Sequence, residues 1–195
     1  MVRGLFAAGA VGPPALTSAA ALVALFEEDG EARVVLTRRS TSLVLHPGEI
    51  SFPGGWVEER EGVVVAALRE AQEEVGLDPQ AVEVVGALGP VTTRTGAAVV
   101  TPVVGMLAGG RPPLVANPRE VDVVFDVALA SLLACCRSEW WGTRPMYFFE
   151  LGEDTVWGMT ARVLHALLLA VSGRMPPPGG EPPPGRGGTN RPAPS

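Results

Sequence analysis

The chain has 195 residues, of which 47% are hydrophobic, so a domain with a sizeable core is expected and global disorder is excluded. Its 15 basic residues, all of them arginine, are outnumbered by 21 acidic residues, and the formal net charge is −6. The absence of a basic cluster argues against binding to a nucleic-acid backbone. Cys135 and Cys136 are adjacent, so a disulfide between them would be strained, and a reducing, cytoplasmic setting is expected.

The two ends of the chain differ in composition from its middle. Residues 1–18 form an Ala-rich leader in which Gly12-Pro13-Pro14 interrupts the apolar run, which argues against a signal peptide. Residues 174–195 are dominated by Pro and Gly and predict a disordered tail. No apolar run is long enough to span a membrane. We therefore expect one domain over residues 19–173, with no membrane partner.

The middle of the chain mixes strand-like and helix-like patterns. In chain order the patterns predict a two-strand hairpin, a loop, a helix, three strands, a short helix, a strand and a closing helix. These elements are Ala20–Phe26 and Ala32–Thr37, Pro47–Gly55, Val63–Val75, then Val82–Leu88, Val99–Met106 and Val121–Val127, and finally Ala128–Cys136, Tyr147–Leu151 and Thr160–Val171. A further loop is expected at Thr92–Gly96. This order indicates an α+β fold with helices packed against a mixed sheet.

The first predicted helix carries three carboxylates within one turn. Glu70, Glu73 and Glu74 have the i, i+3, i+4 spacing, so their side chains are expected to share one face, opposite an apolar face made by Leu68, Ala71 and Val75. Like charges at this spacing repel each other, and a hard cation such as Mg²⁺ or Mn²⁺, which prefers oxygen ligands, relieves that repulsion. For the acidic run alone, a solvated helix face is the alternative interpretation.

Residues on both sides of the acidic run complete a longer pattern. Arg69 can pair with Glu73 four residues later, and the preceding Gly-Gly loop lets a backbone carbonyl approach the same ion. The pattern G-x5-E-x7-R-E-U-x-E-E-x-G-U, with U apolar, is matched by Gly55, Glu61, Arg69, Glu70, Glu73, Glu74 and Gly76, with Ala71 and Leu77 at the apolar positions. This is the Nudix box. The chain therefore resembles the Nudix hydrolases, whose fold is similar to the α-β-α sandwich that the element order indicates.

Segments outside the box narrow the resemblance to one branch of that family. Leu36–Ser40 followed by His46–Gly55 is similar to the LTxRS…HxGxxxFPGG signature of the coenzyme A pyrophosphatases, as are Thr93–Gly96 and Trp157–Thr160. Relatives often carry a basic residue where this chain has Val44 or Leu45. If that basic residue meets the 3′-phosphate of coenzyme A, this chain recognises the phosphate differently.

The resemblance also implies roles for the matched positions. The implied metal ligands are Glu70, Glu74, Glu73 and the carbonyl of Gly54. The implied catalytic residues are Glu73, Glu74, Arg69 and Glu120. The implied substrate-binding residues are Arg39, Ser40, His46 and Phe52. Glu61 is expected to brace the loop against the helix, and His165 is expected to have a packing role. For His46, a structural hydrogen bond and a binding role both stay open.

The resemblance implies a Mg²⁺- or Mn²⁺-dependent hydrolase that cleaves coenzyme A or its derivatives to 3′,5′-ADP and (acyl-)4′-phosphopantetheine. A broader nucleoside-diphosphate-X pyrophosphatase, acting on ADP-ribose or NADH, is one alternative. A Nudix-fold module that binds a nucleotide without cleaving it is another. In each case the expected partner is a small-molecule nucleotide and not a nucleic acid, and the expected assembly is a monomer or a homodimer.

Overall fold

The computed structural model describes residues 18–93, 98–142 and 144–173. The predicted tail over 174–195 and all of the predicted leader except Ser18 lie outside the described residues, as do the last residues of the predicted loop Thr92–Gly96. Ser18 itself joins the folded domain, because its N–H donates to the carbonyl of Val99 at 3.0 Å. No helix in the described ranges is long and apolar enough to cross a membrane.

The described residues form strands and helices that include the predicted elements. In chain order they are β1 (Ala19–Glu28), β2 (Glu31–Arg39), β3 (Ile50–Ser51), β4 (Gly54–Trp56), α1 (Val63–Val75), β5 (Val82–Ala87), β6 (Val91–Thr92), β7 (Val99–Leu107), β8 (Val121–Ala128), α2 (Leu129–Cys135), β9 (Cys136–Trp141), β10 (Arg144–Leu151), β11 (Asp154–Val156) and α3 (Gly158–Ser172). A short 3-10 helix, Pro79–Ala81, lies between α1 and β5.

The main sheet is mixed, as the sequence predicts. Its central order is β3-β2-β1-β7-β5, with β4 added to β1, β6 added to β7 and β8 added to β2. β1 and β7 run parallel, whereas the other pairs of this sheet are antiparallel. β9, β10 and β11 form a separate antiparallel sheet that the sequence analysis did not predict.

Alternate residues of β1 face two separate cores, because successive side chains of a strand point to opposite faces. Ala20, Leu22, Ala24 and Phe26 pack in the core that includes the apolar face of α1. Ala21, Val23 and Leu25 pack in the other core, which includes residues of α2, α3 and the small sheet. The sheet therefore lies between helices, and the predicted α+β sandwich is confirmed.

The prediction that Pro47–Gly55 is entirely a loop is wrong in part. Ile50 and Ser51 extend the sheet beside Arg38 and Thr37 of β2. Gly54 and its two successors pair with the start of β1, where a glycine can approach the neighbouring backbone closely. The sequence also gave no prediction for β6, β9 and β11. These strands are short or alternate partly exposed residues, so a periodic apolar signal is weak.

His165 confirms its predicted packing role. Its ring stacks on Tyr147 with the ring centroids 3.8 Å apart and an interplanar angle of 20°. Burial lowers the pKa of His165, because the charged imidazolium would lose its hydration there. The residue therefore joins α3 to the small sheet and carries no role in our account of the site.

Gly54→Ala is predicted to destabilise the fold. A Cβ at this position would lie 2.4 Å from the carbonyl oxygen of Ala20 and 2.6 Å from the Cα of Ala21, so the backbone of β1 or β4 must shift. We expect a loss of about 1–3 kcal/mol or more in the free energy of unfolding. Urea unfolding followed by circular dichroism measures this loss. Gly89→Ala, where a Cβ meets no atom within 4 Å, is the control; equal stability of the two variants would contradict the prediction.

Candidate active site

The acidic residues lie in the last two turns of α1, where the helix ends sharply. Gly76 adopts the left-handed conformation, with φ of 67°, and its N–H donates to the carbonyl of Gln72. Carboxylates at the C-terminal end of a helix face the negative end of its dipole. The last turn of α1 contains no basic residue that would offset this effect. The local sequence therefore concentrates negative charge where the helix itself disfavours it.

Glu74 is buried against the glycine loop. It is only 4% exposed, and the N–H of Gly54 donates to its Oε2 at 3.2 Å. Burial, assisted by the nearby carboxylates of Glu120 and Glu70, raises the pKa of Glu74 to about 7, while the Gly54 hydrogen bond and Arg39 oppose this rise. A buried carboxylate with other carboxylates nearby is a site at which a cation would be stabilised.

Glu70 faces the other glycine of the same loop. A Cβ on Gly55 would lie 2.5 Å from the carboxylate of Glu70, so the side chain occupies space that only glycine leaves open. Burial raises the pKa of Glu70, and Arg69 opposes this rise. The two glycines thus bring a backbone segment against both glutamates, which accounts physically for the Gly-Gly pair before the helix.

Arg69 holds the loop, the helix and two glutamates together. Its Nε and Nη2 donate to the two carboxylate oxygens of Glu61, at 3.0 and 3.1 Å, and Nη2 also donates to the carbonyl of Trp56. Its Nη1 donates to Glu70 at 2.9 Å and to Glu73 at 3.1 Å. These contacts use all five N–H donors of a guanidinium. They raise the pKa of Arg69 and lower that of Glu61.

The expectation that three glutamates share one solvent-facing side of the helix needs correction. Glu74 turns towards the sheet with Ala71 and Val75 and is buried, whereas the side chain of Glu73 is 53% exposed and is drawn to Arg69. Glu74 and Glu70 remain together because Gly54 and Gly55 leave room for them. The predicted Arg69–Glu73 pair is present, but the bidentate partner of Arg69 is Glu61, as expected for a bracing residue.

Glu120 is brought to the site by the segment that precedes β8. The N–H of Asn117 donates to the carbonyl of Glu74 at 2.8 Å, and its side-chain amide donates to Glu120 at 3.3 Å. The charge of Glu120 contributes to the raised pKa of both Glu70 and Glu74. Asn117 was not singled out from the sequence, because an Asn-Pro pair is typical of a turn and carries no signal of a contact with α1.

The four expected substrate-binding residues have different surroundings. Arg39 lies near the glutamates, since its charge lowers the pKa of Glu74, and its buried Nε has no hydrogen-bond partner among the described residues. His46 is exposed, adopts a left-handed conformation with φ of 57°, and contacts Glu49 at 3.0 Å. Ser40 is 3% exposed and Phe52 is 6% exposed. Phe52 packs in the core that includes α3, so its ring offers little surface to a substrate.

Arg38 and Arg39 have different surroundings although they are neighbours in the sequence. Arg38 forms an ion pair with Asp154 of β11, on the side of the small sheet. Arg39 acts on Glu74, on the side of α1. Of the two arginines, Arg39 is therefore the one available to a phosphate beside the glutamates.

The carboxylates of the site suit a hard divalent cation and would occupy only some of its coordination positions. Glu70 and Glu74 supply carboxylate oxygens, the ligands that Mg²⁺ and Mn²⁺ prefer. Among the described residues, no three His, Cys, Asp or Glu side chains converge on one point as a ready-made metal cage. Mg²⁺ in proteins is usually held by one or two carboxylates, and its other positions are filled by water and substrate phosphates.

Comparison with known proteins places this site in a family. The NUDIX domain model matches residues 16–134, which include the glycine loop, all of α1 and Glu120. The chain belongs to the Nudix hydrolases. It is accordingly classed as a hydrolase, and members of this family generally use divalent metal ions.

Relatives and solved structures agree with this assignment. The chain is 40% identical over 174 residues to "Nudix hydrolase 22, chloroplastic" of Arabidopsis thaliana, covering 81% of this chain and 56% of that protein. It is 37% identical over 145 residues to "Uncharacterized Nudix hydrolase NudL" of Photorhabdus laumondii, covering 71% and 76%. The chain thus spans little more than half of the plant relative's length.

The fold is shared with Nudix hydrolases of known structure. The RenU Nudix hydrolase of M. smegmatis has a TM-score of 0.52 and 25% identity, over 60% of this chain and 73% of that one. The E. coli ORF135 protein has a TM-score of 0.51 and 17% identity, over 84% and 98%. The latter likeness shows the fold alone.

Arg69→Lys is predicted to weaken both the fold and the site. A lysine has three donors on one atom and cannot reproduce the fork that joins Glu61, Glu70 and the Trp56 carbonyl. We expect a loss of about 1–3 kcal/mol in the free energy of unfolding, because partly buried acceptors lose their donors. Urea unfolding provides the measurement. Arg137→Lys is the control, since Arg137 is about half exposed and pairs with exposed Glu139 and Glu150; if both variants lose the same small amount, the bracing role is refuted.

Proposed function

We propose that this protein is a metal-dependent pyrophosphatase that cleaves coenzyme A or its derivatives to 3′,5′-ADP and (acyl-)4′-phosphopantetheine. The observation that carries the hydrolytic part is the placement of the buried Glu74 and the partly buried Glu70 against the Gly54-Gly55 loop, with Arg39 and Glu120 nearby. The coenzyme A part is supported by the resemblance of Leu36–Gly55 to the signature of that branch.

In this proposal Glu70 and Glu74 would hold the metal, with the carbonyl of Gly54 and, for a further ion, Glu73. When bound, the cation supplies charge neutralisation for the diphosphate and lowers the pKa of a water molecule. Arg39 binds a non-bridging phosphate oxygen through its guanidinium. Arg69 keeps the carboxylate of Glu70 in place. The residues therefore orient an anhydride with its negative charge balanced on two sides.

The chemical step needs a proton acceptor for the attacking water. Glu73 is exposed and held at one oxygen by Arg69, and Glu120 is held at one oxygen by Asn117, so each keeps a free carboxylate oxygen for this role. Water attacks one phosphorus in line, the bridging P–O bond breaks, and the second phosphate leaves. Either carboxylate meets the chemical requirement; the charge of Glu120 raises the pKa of both Glu70 and Glu74, whereas that of Glu73 raises the pKa of Glu70.

Glu70→Gln and Glu74→Gln are each predicted to remove most of the activity while the fold is retained. The amide keeps the side-chain volume but loses the charge that a divalent cation needs. Hydrolysis of coenzyme A is measured at saturating Mg²⁺ and at saturating Mn²⁺, with circular dichroism as the check on folding. Glu83→Gln, on β5 and outside the proposed site, is the control. Near-normal turnover of both site variants at saturating metal would refute the assignment.

The choice of coenzyme A is tested with matched substrates. Coenzyme A and dephospho-coenzyme A differ only in the 3′-phosphate, and the apolar Val44 and Leu45, which are 94% and 70% exposed, offer no charge to it. A clear preference for coenzyme A would show that another group recognises this phosphate. Equal use would show that the 3′-phosphate is not recognised. Cleavage of ADP-ribose or NADH without cleavage of either coenzyme would reject the coenzyme A proposal in favour of the broader pyrophosphatase.

Arg39→Gln is predicted to lower kcat/KM about tenfold or more. A charge-assisted phosphate contact contributes roughly 1.5–3 kcal/mol, and 1.4 kcal/mol corresponds to a factor of ten. Steady-state kinetics on the best substrate of the wild-type protein measures the loss. Arg119→Gln is the control, because Arg119 lies in the turn before β8 with no side-chain ion pair among the described contacts. Equal kinetics for the two variants would remove Arg39 from the site.

A non-catalytic nucleotide-binding module is the second candidate. It predicts binding of ADP-ribose or coenzyme A without phosphate-containing products at any metal concentration, so product analysis separates it from an enzyme. The complete set of acidic residues favours the enzyme. We also propose a cytoplasmic setting, in line with two free cysteines in the described part of the chain.

A further inference from the structure

A cavity of about 160 Å³ lies between the segment that leads into β3 and the segment that leads into α3. Its walls are Pro47–Ile50, which lead into β3, and Asp154–Trp157, which lead into α3. A protein cavity of about 150 Å³ takes up one benzene ring. The cavity, which is open to solvent on one side, therefore matches the size of one planar ring system and is too small for a whole nucleotide.

The cavity is joined to the active site through the backbone of Arg39. The N–H of Arg39 donates to the carbonyl of Glu49 at 3.0 Å, and the N–H of Gly48 donates to the carbonyl of Arg39 at 3.1 Å. The N–H of Ser40, the next residue along the chain, donates to the carbonyl of Glu120 at 2.8 Å. If the phosphates of a substrate contact Arg39, the cavity wall formed by Gly48 and Glu49 is hydrogen-bonded directly to the residue that binds them.

The walls favour a neutral aromatic ring that carries N–H donors. Trp157 lines the cavity and is about half exposed, and an exposed tryptophan ring can stack on another ring. Glu49 and Asp154 also line the cavity, and their carboxylates, which contact His46 and Arg38, can only accept hydrogen bonds. They suit an exocyclic amine such as that of adenine, and the pairing of Asp154 with Arg38 fixes its carboxylate in place.

We propose that this cavity binds the adenine base of the substrate, with the base stacked on Trp157 and its exocyclic amine donating to the carboxylate-lined wall. The inference rests on the proposed function, since it assumes an adenine nucleotide whose diphosphate lies at the glutamates. The adenine base and the arm beyond the diphosphate then lie on opposite sides of the loop that precedes β3. The arm beyond the diphosphate then extends away from this cavity.

The first test is kinetic and compares Trp157 with another exposed tryptophan, Trp141. Stacking of a base on an aromatic side chain contributes about a five- to hundred-fold factor in affinity. We expect Trp157→Ala to raise KM about tenfold with kcat changed less than about twofold, and Trp157→Phe to keep most of the wild-type affinity. Trp141→Ala is the matched control, because Trp141 is 59% exposed on β9 and is not part of the cavity wall. A loss in kcat with KM unchanged, or equal kinetics for Trp157→Ala and Trp141→Ala, would overturn the inference.

The second test does not depend on hydrolysis. Calorimetric titration with AMP and with IMP compares a base that carries the exocyclic amine with one that carries an oxygen at the same position. The inference expects tighter binding of AMP than of IMP to the wild-type protein, and about tenfold weaker binding of AMP to Trp157→Ala. If no coenzyme or nucleotide is hydrolysed, the proposed function fails while this titration still decides about the cavity. Equal binding of AMP and IMP, or loss of 4′-phosphopantetheine binding in place of AMP binding in Trp157→Ala, would refute the adenine assignment.

Discussion

The site depends on one constraint, the burial of the Glu74 carboxylate beside the amide of Gly54. A carboxylate without a cation is costly to bury, and the pKa of about 7 expresses that cost. A side chain at Gly54 would collide with β1, and one at Gly55 would occupy the position of Glu70. The fold thus keeps a close backbone-to-carboxylate contact that contributes little stability by itself. Such a contact is explained by the ligand that it prepares for.

Arg69 makes this concentration of negative charge tolerable within the fold. It contacts Glu61, Glu70 and Glu73 and leaves Glu74 to the amide of Gly54. One side of the acidic cluster is therefore neutralised permanently by the protein. The other side, where Glu74, Glu120 and Arg39 meet, has its charges less well balanced. A cation with a diphosphate would complete the balance there, because each supplies the charge that the other lacks.

The sequence predicted those features that arise from local spacing. The glycine at position 76 and the apolar period of Val63–Val75 predicted the helix and its end, and the box spacing singled out Glu70, Glu73 and Glu74, which lie near that end. It did not predict that Glu73 turns to Arg69 while Glu74 turns inward, because the packing of α1 on the sheet decides which carboxylate is buried. The contact between Asn117 and Glu74 was also beyond prediction, since it joins residues 43 positions apart through an irregular segment.

The short strands were missed for a related reason. Ile50–Ser51 and Gly54–Trp56 are too short to show a period of two, and their glycines and prolines indicate a loop. They become strands only because β2 and β1 present unpaired edges to them. Their positions nevertheless control the site, since they hold the glycine loop against α1. Local signals alone thus predicted the chemical groups of this loop better than its backbone.

Adjacent residues of one strand end connect the two faces of the sheet. Arg38 pairs with Asp154 towards the small sheet, and Arg39 acts on Glu74 towards α1, in keeping with the alternation of side chains along a strand. The register of β2 with β8 shifts between these two residues, so the strand is irregular at this point. Because Arg38 and Arg39 face opposite sides of the sheet, this strand end can contact both the charged centre and the uncharged ring of a substrate. In the binding mode that we propose, the phosphate contacts the guanidinium of Arg39 beside the glutamates, and the ring lies at the wall that includes Asp154, the partner of Arg38. Consecutive residues can make both contacts because successive side chains of a strand point to opposite faces of the sheet.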